Sequence, residues 1–252
     1  MPLLRRFALV FCAISTSALA DAPKPHVVML IAEREYQTDQ TLPVFAKQFL
    51  DESYRTTFVS ADPDDPNRLV DIAAVKSADV LMVSVRRRTL TEDQLDVVRG
   101  YITSGKPVIG IRTASHAFSL RNAEPPEGRA GWPEFDAEVF GGNYSNHHGN
   151  SLKVIVTREK PSAEPTRLLR GLESTAPFIA GGSLYVVSPL AGGTQVLFTG
   201  RVEGKPPEPV AWTYQRADGG KSFYTSLGHA DDFRGEVLPK LLVNAIAWCL
   251  EK

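Results

Sequence analysis

Cysteine is almost missing from this sequence. Cys12 lies in the first twenty residues and Cys249 near the other end. If the first segment is removed, one thiol remains, which excludes an internal disulfide, and the place of Cys249 on an apolar C-terminal helix reads as core packing. Neither sign of charge is in excess, with 28 Lys and Arg against 29 Asp and Glu, so the polybasic footprint of a nucleic-acid binder is absent. The apolar run Phe7 to Ile14 is too short to cross a bilayer, and no membrane span is expected in the mature chain. There is no internal repeat and no low-complexity tract. No GxGxxG follows a strand-like run and no GxxxxGK[ST] occurs, so no nucleotide cofactor is expected. Histidine is scarce, at five residues.

What is present begins with an export signal. Arg5 and Arg6 form a positive segment, Phe7 to Ile14 an apolar one, and Ala18-Leu19-Ala20 a small-x-small cleavage site. Cleavage after Ala20 is expected, giving a periplasmic or secreted protein with a mature domain over residues 21–252. A lipid anchor on Cys12 is the alternative; bulky Phe11 before it and its place inside the apolar run argue against that. Loss of Arg5 and Arg6 leaves 26 basic against 29 acidic residues, a net charge near −3. About 232 residues of ordinary composition can bury one large core without staples.

The run HVVMLIAE at residues 26–33 has the continuous apolar character of a strand buried on both faces. A helix opening at Thr41, with Pro43 in its first turn, follows; Val44, Phe45 and Phe49 share its apolar face. Strand Thr56 to Ala61, a short helical stretch near Leu69 to Lys76 and strand Asp79 to Val85 repeat the alternation. Thr91 and Gln94 form a capping box for the next helix, which Gly105 stops, and strand Pro107 to Thr113 comes next. Strands and helices in this rhythm predict βαβ crossovers and a mostly parallel sheet flanked by helices. After residue 133 a helix to Phe140 is expected, and Gly141-Gly142 ends it. Short strands then dominate: Ser151 to Thr157, Leu184 to Ser188, Thr194 to Arg201, Val210 to Tyr214 and Lys221 to Leu227. These predict an antiparallel extension. Arg234 to Lys252 reads as a final helix packed on the sheet through Leu238, Leu241, Leu242, Ala245 and Trp248.

In open α/β sheets ligands bind beyond the carboxyl ends of the strands. Those ends carry Glu33-Arg34-Glu35-Tyr36, Arg86-Arg87-Arg88, Arg112-Thr113-Ala114-Ser115-His116 and Gly228-His229. The segments KPVIGIRTASHAF, Trp132, FGGNYSNHH at 140–148, Leu184-Tyr185, PVAW at 209–212 and FYTSLGH at 223–229 resemble, in that order, the ThuA-like domain. That family is a branch of the class I glutamine-amidotransferase-like fold associated with trehalose utilisation. The likeness runs from about residue 26 to the end. It implies a single α/β domain of amidotransferase-like or flavodoxin-like architecture and a sugar or glycoside as small-molecule partner. It also shows a loss. Where amidotransferases of this fold hold a cysteine nucleophile in a sharp strand-to-helix turn, this sequence has Arg112, which cannot attack. Glutaminase activity is therefore not expected. Ser115 could replace the nucleophile only if adjacent His116 reached it.

His116, His147 and His229, with Glu33 or Glu35, could hold a divalent metal such as zinc at an open position. The other reading has the same histidines bonding backbone groups. Arg86 or Arg88 with Arg112 could grip a carboxylate or a developing oxyanion, or could pair with Glu33 and Glu35. Tyr36, Trp132 and Tyr144 are candidates for an aromatic wall against a sugar ring. The expectation is a carbohydrate-processing enzyme with His116, His229, Arg112 and Glu33 catalytic, and Glu35, Tyr36, Arg86, Arg88, Ser115, Trp132 and Tyr144 around the substrate. A non-catalytic sugar-binding module is the rival class.

Overall fold

The computed structural model describes residues 23–160 and 167–251, so the expected export signal lies outside the described residues. Strands β1 (His26–Ala32), β2 (Arg55–Ser60), β3 (Val80–Val85), β4 (Val108–Ile111) and β11 (Lys221–Thr225) run parallel, in the order β2-β1-β3-β4-β11. Strands β10 (Glu208–Gln215), β9 (Gln195–Arg201), β6 (Ile155–Arg158) and β7 (Phe178–Ile179) extend this sheet antiparallel. A separate two-stranded ribbon pairs β5 (Asn146–His147) with β8 (Tyr185–Val186). The expected strand Leu184 to Ser188 is thus real but shorter, and it leaves the main sheet.

Strand β1 is buried along its whole length, and its alternate side chains feed two different cores. Val27, Met29 and Ile31 meet Leu42 and Phe45 of helix α1 (Thr38–Phe49) and Leu241, Leu242 and Ala245 of helix α4 (Val237–Cys249). Val28 and Leu30 face Leu95, Val98 and Ile102 of helix α2 (Glu92–Thr103). The sheet is therefore covered on both sides, as a parallel sheet requires. Cys249 is buried, with its thiol pushed up to about 12 by desolvation, and Trp248 is only partly buried, beside Lys221. Among the described residues no helix is long and apolar enough to cross a membrane.

Several local expectations fail for identifiable reasons. Helix α1 begins at Thr38, not Thr41, because the Glu33 carboxylate accepts bonds from Thr38 N and Thr38 Oγ1 and caps it; Pro43 then sits inside the helix, and Val44 and Phe49 are exposed. Thr91 is the N-cap of α2 but makes no capping bond, since Gln94 instead clasps both backbone groups of Leu69 at 2.9 and 2.7 Å. Strand β4 stops at Ile111 because Arg112 turns left-handed, at φ 46°. The expected helix to Phe140 is a single wide turn, Asp136–Phe140, ended by Gly141 at φ 63°. A short helix α3 (Ala230–Arg234) precedes α4, which starts at Val237.

Candidate functional site

From β1 the chain crosses to β2 on one side and, through β2, to β3 on the other, so the strand order reverses at β1. This is the switch point where open sheets bind ligands. The loops after β1, β3, β4 and β11 converge there, and the geometry of each is set by a specific bond.

Arg112 occupies the turn after β4 with a backbone that few residues other than glycine adopt. Strained φ angles of this kind collect at functional turns, and this one has the form of a nucleophile elbow carrying a guanidinium instead. The Tyr224 hydroxyl bonds the Arg112 carbonyl at 2.6 Å, and the side chain, 2% exposed, donates to the Ser226 carbonyl at 2.6 Å. Its guanidinium lies 4.0 Å from the Tyr36 ring centre and 4.8 Å from that of Tyr185, a cation enclosed by aromatic faces. Gly182 packs so closely that a Cβ there would stand 2.3 Å from the guanidinium.

One turn further, Ser115 Oγ lies 3.1 Å from His116 Nδ1. Adjacent residues do meet here, because a tight 3₁₀ turn spans Arg112–His116. His116 is buried against Tyr144, ring to ring at 4.4 Å. Burial first, then the nearby arginines Arg87, Arg86, Arg112 and Arg121, hold its pKa down at about 2. The imidazole is neutral at any working pH, so it can bond or orient a neighbour but cannot carry a proton as a cationic acid.

His116 and Ser115 line a cleft of about 220 Å³ with Arg87, Arg121, Asp136 and Tyr144. An adjoining depression of about 370 Å³ shares Ser119 and Pro133 with it. Asp136 is 7% exposed and accepts one bond, from Tyr144 N at 2.8 Å, while its Oδ1 has no partner. Desolvation raises this carboxyl to about 7. Gly142 is required beside it: a Cβ would fall 2.5 Å from Oδ1.

The histidines expected to share a metal are not brought together. Among the described residues no group of three or more His, Cys, Asp or Glu side chains could hold a metal ion. His147 Nδ1 bonds the His148 carbonyl at 2.7 Å. His229 caps α3, its Nδ1 accepting from Asp231 N at 3.2 Å, and its ring meets Tyr36 edge-on at 6.2 Å. Glu33 accepts four bonds, from the amides of Glu35, Tyr36 and Thr38 and the Thr38 hydroxyl. Those fill its acceptor sites and make it the clamp of the β1 loop. Glu35 is exposed and stands 2.7 Å from Arg86 Nε, and Arg88 donates to the Ala32 carbonyl at 2.9 Å. The donor set does not fit a metal, and no step is assigned to one.

Tyr36 and Tyr144 do join an aromatic wall, with Tyr185 between them: Tyr144 and Tyr185 lie 4.8 Å apart, and Tyr185 and Tyr36 flank Arg112. Trp132 does not belong to it. Its indole bonds Glu138 at 2.8 Å, packs on Phe135 at 5.1 Å and lies beneath Arg99, away from Tyr144.

The family model for ThuA, trehalose utilisation, matches residues 26–249. The chain belongs to the ThuA family. The ThuA fold is evident in solved structures too. A putative ThuA-like protein from Bacteroides uniformis ATCC 8492 superposes with a TM-score of 0.65 at 18% identity, over 94% of this chain and 96% of that one. One from Parabacteroides merdae ATCC 43184 gives 0.59 at 14% identity, over 90% of each chain. The mmIFT52 N-terminal domain gives 0.54 at 10% identity, over 90% of this chain and 98% of that one. At these identities the likeness is one of fold. No curated protein matches the chain.

Three residues of this ThuA cleft escape a reading of the sequence. Arg87, not Arg86 or Arg88, is the member of the arginine run that lines it, since a left-handed turn at φ 50° separates its direction from its neighbours. Arg121 sits in a loop without pattern. Asp136 has one sequence signal, the second glycine of Gly141-Gly142, whose missing side chain makes room for the carboxyl.

Proposed function

We propose that this ThuA-family chain is an exported enzyme of carbohydrate catabolism that moves a proton on a sugar or oxidised-sugar substrate, with Asp136 as the base. The observation that carries this reading is a buried carboxyl near pKa 7 in a cleft lined by the loops after β3 and β4, with one oxygen unpartnered. A base works best when its pKa lies near the operating pH. In the proposed step the Asp136 carboxylate takes the proton from the carbon beside a sugar carbonyl. The C–H bond breaks, its electron pair forms a C=C bond to the carbonyl carbon, the C=O π pair moves to the oxygen, and Arg87 and Arg121 face the charge that develops there. This is the shared first step of isomerisation and of elimination of a glycosidic group. The neutral His116 and the Ser115 hydroxyl orient the substrate, and Tyr144 stacks beside it. The two adjoining compartments suit a two-ring substrate.

Turnover of keto-sugar glycosides, followed by product release, tests the reading. Wild-type rate should rise with pH through about 7, and Asp136→Asn should lose at least a hundredfold, the low end of what general-base catalysis contributes. A variant that keeps its rate removes Asp136 from the reaction. The binding-module reading draws on Arg112, whose guanidinium fills the place of a nucleophile. Saturable sugar binding with no product after prolonged incubation would favour it.

A further inference from the structure

Arg68, Arg86, Arg99, Arg129, Arg167, Arg216 and Arg234 each have a carboxylate partner. Arg87 and Arg121, the two arginines that line the cleft, have no ion pair among the described residues. They act on each other unfavourably, as like charges, and both reach the Tyr144 hydroxyl. The backbone at Arg87 is fixed, and its guanidinium donates to the Ser119 carbonyl at 3.4 Å. That backbone is left-handed, the Arg87 amide donates to the His116 carbonyl at 3.0 Å, and the next amide donates to the Ala117 carbonyl at 2.7 Å. Holding two cations together without a counter-charge costs energy that a shared anion returns. The rest of the lining consists largely of neutral hydrogen-bonding groups: Ser115, Ser119, Ser145, Asn143 and Tyr144. One acid, Asp136, completes it, with one of its oxygens bonded by Tyr144 N.

We infer that the cleft selects a sugar bearing an oxyanion, a carboxylate or a phosphate, gripped between Arg87 and Arg121. This rests on the sugar-site reading above and adds the substrate class. A guanidinium fork matches both oxyanions, while the hydroxyl and amide lining matches the sugar hydroxyls. At about 220 Å³ the cleft is smaller than the roughly 300–1,000 Å³ of drug-sized sites, so it takes one charged ring, and a second ring would enter the neighbouring depression.

Titration calorimetry at fixed ionic strength tests this with glucose and trehalose as neutral ligands, gluconate, glucuronate and glucose 6-phosphate as charged ones, and inorganic phosphate alone. The charged sugars should bind at least tenfold more tightly than the neutral ones. Arg121→Ala changes an exposed side chain, so the fold should survive; it should lose at least tenfold for charged sugars only, and Arg121→Lys should recover part of that loss. Comparison of gluconate with glucose 6-phosphate shows which oxyanion is read. Equal binding of neutral and charged sugars overturns the inference, as do binding insensitive to Arg121→Ala and failure of every sugar to bind. Inorganic phosphate binding as tightly as glucose 6-phosphate overturns the sugar part. Tight binding of charged sugars with no turnover sinks the enzyme reading and leaves this inference standing.

Discussion

Asparagine at position 136 removes a charge from a place that disfavours charge. The Asp136 carboxyl is buried, accepts a single bond from Tyr144 N and leaves Oδ1 bare, and burial lifts it from the ordinary 3.8 to about 7. Between these values the unfolded chain gives up the proton and the folded chain keeps it. The stability due to this group is therefore complete below pH 3.8 and lost as pH rises through 7. Three orders of magnitude in proton affinity correspond to roughly 4 kcal/mol at pH 8, and to about 2 kcal/mol at pH 5. Asparagine keeps the shape, can accept the Tyr144 amide bond, and carries no charge. Asp136→Asn should thus be more stable than the wild type, and its advantage should widen by roughly 2–3 kcal/mol between pH 5 and pH 8. Urea unfolding at both pH values, with unchanged m-values, measures this directly. An advantage equal at both pH values, or a variant less stable at pH 8, would refute the account of Asp136.

The acid limb should behave in the opposite sense because of His116. Its folded pKa is depressed to about 2, so its contribution is present above the ordinary 6.5 and is lost as pH falls, by about 3 kcal/mol between pH 7 and pH 4; His116→Gln should flatten that limb in the same unfolding assay. Glu33→Gln should cost roughly 1–3 kcal/mol, because an amide group would face backbone donors in place of an acceptor oxygen. Amide exchange at Thr38 should quicken with it, and unchanged exchange would show that the cap is dispensable.

The parallel half of the sheet was legible because each strand is a short apolar run bounded by turn residues. Exact helix starts were not. The acceptor that fixes α1 sits five residues earlier on Glu33, and the partner that draws Gln94 away from its cap sits on Leu69, far along the chain. The site was half legible for a related reason. Strand ends pointed to loops that converge in the structure; Ser115, His116 and Tyr144 line the cleft, while Arg112 lies between Tyr36 and Tyr185. Which of three consecutive arginines enters the cleft depends on one backbone angle at Arg87, and a histidine pattern does not disclose that His147 and His229 have backbone partners. Trp132 resembled a platform in sequence, yet Glu138 and Phe135 hold it elsewhere.

Strand β11 lies between β4 and β10, though more than a hundred residues of chain separate it from β4. That seam is where Tyr224 reaches the Arg112 carbonyl and where Gly228 and His229 follow. The cleft thus has no existence in a chain synthesised only as far as residue 220: both flanking strands would show bare edges, and the turn at Arg112 would lack its clamp. A protein built this way stays open through most of its emergence and closes late. Removal of residues 221–252 should yield not a smaller folded core but an aggregating fragment.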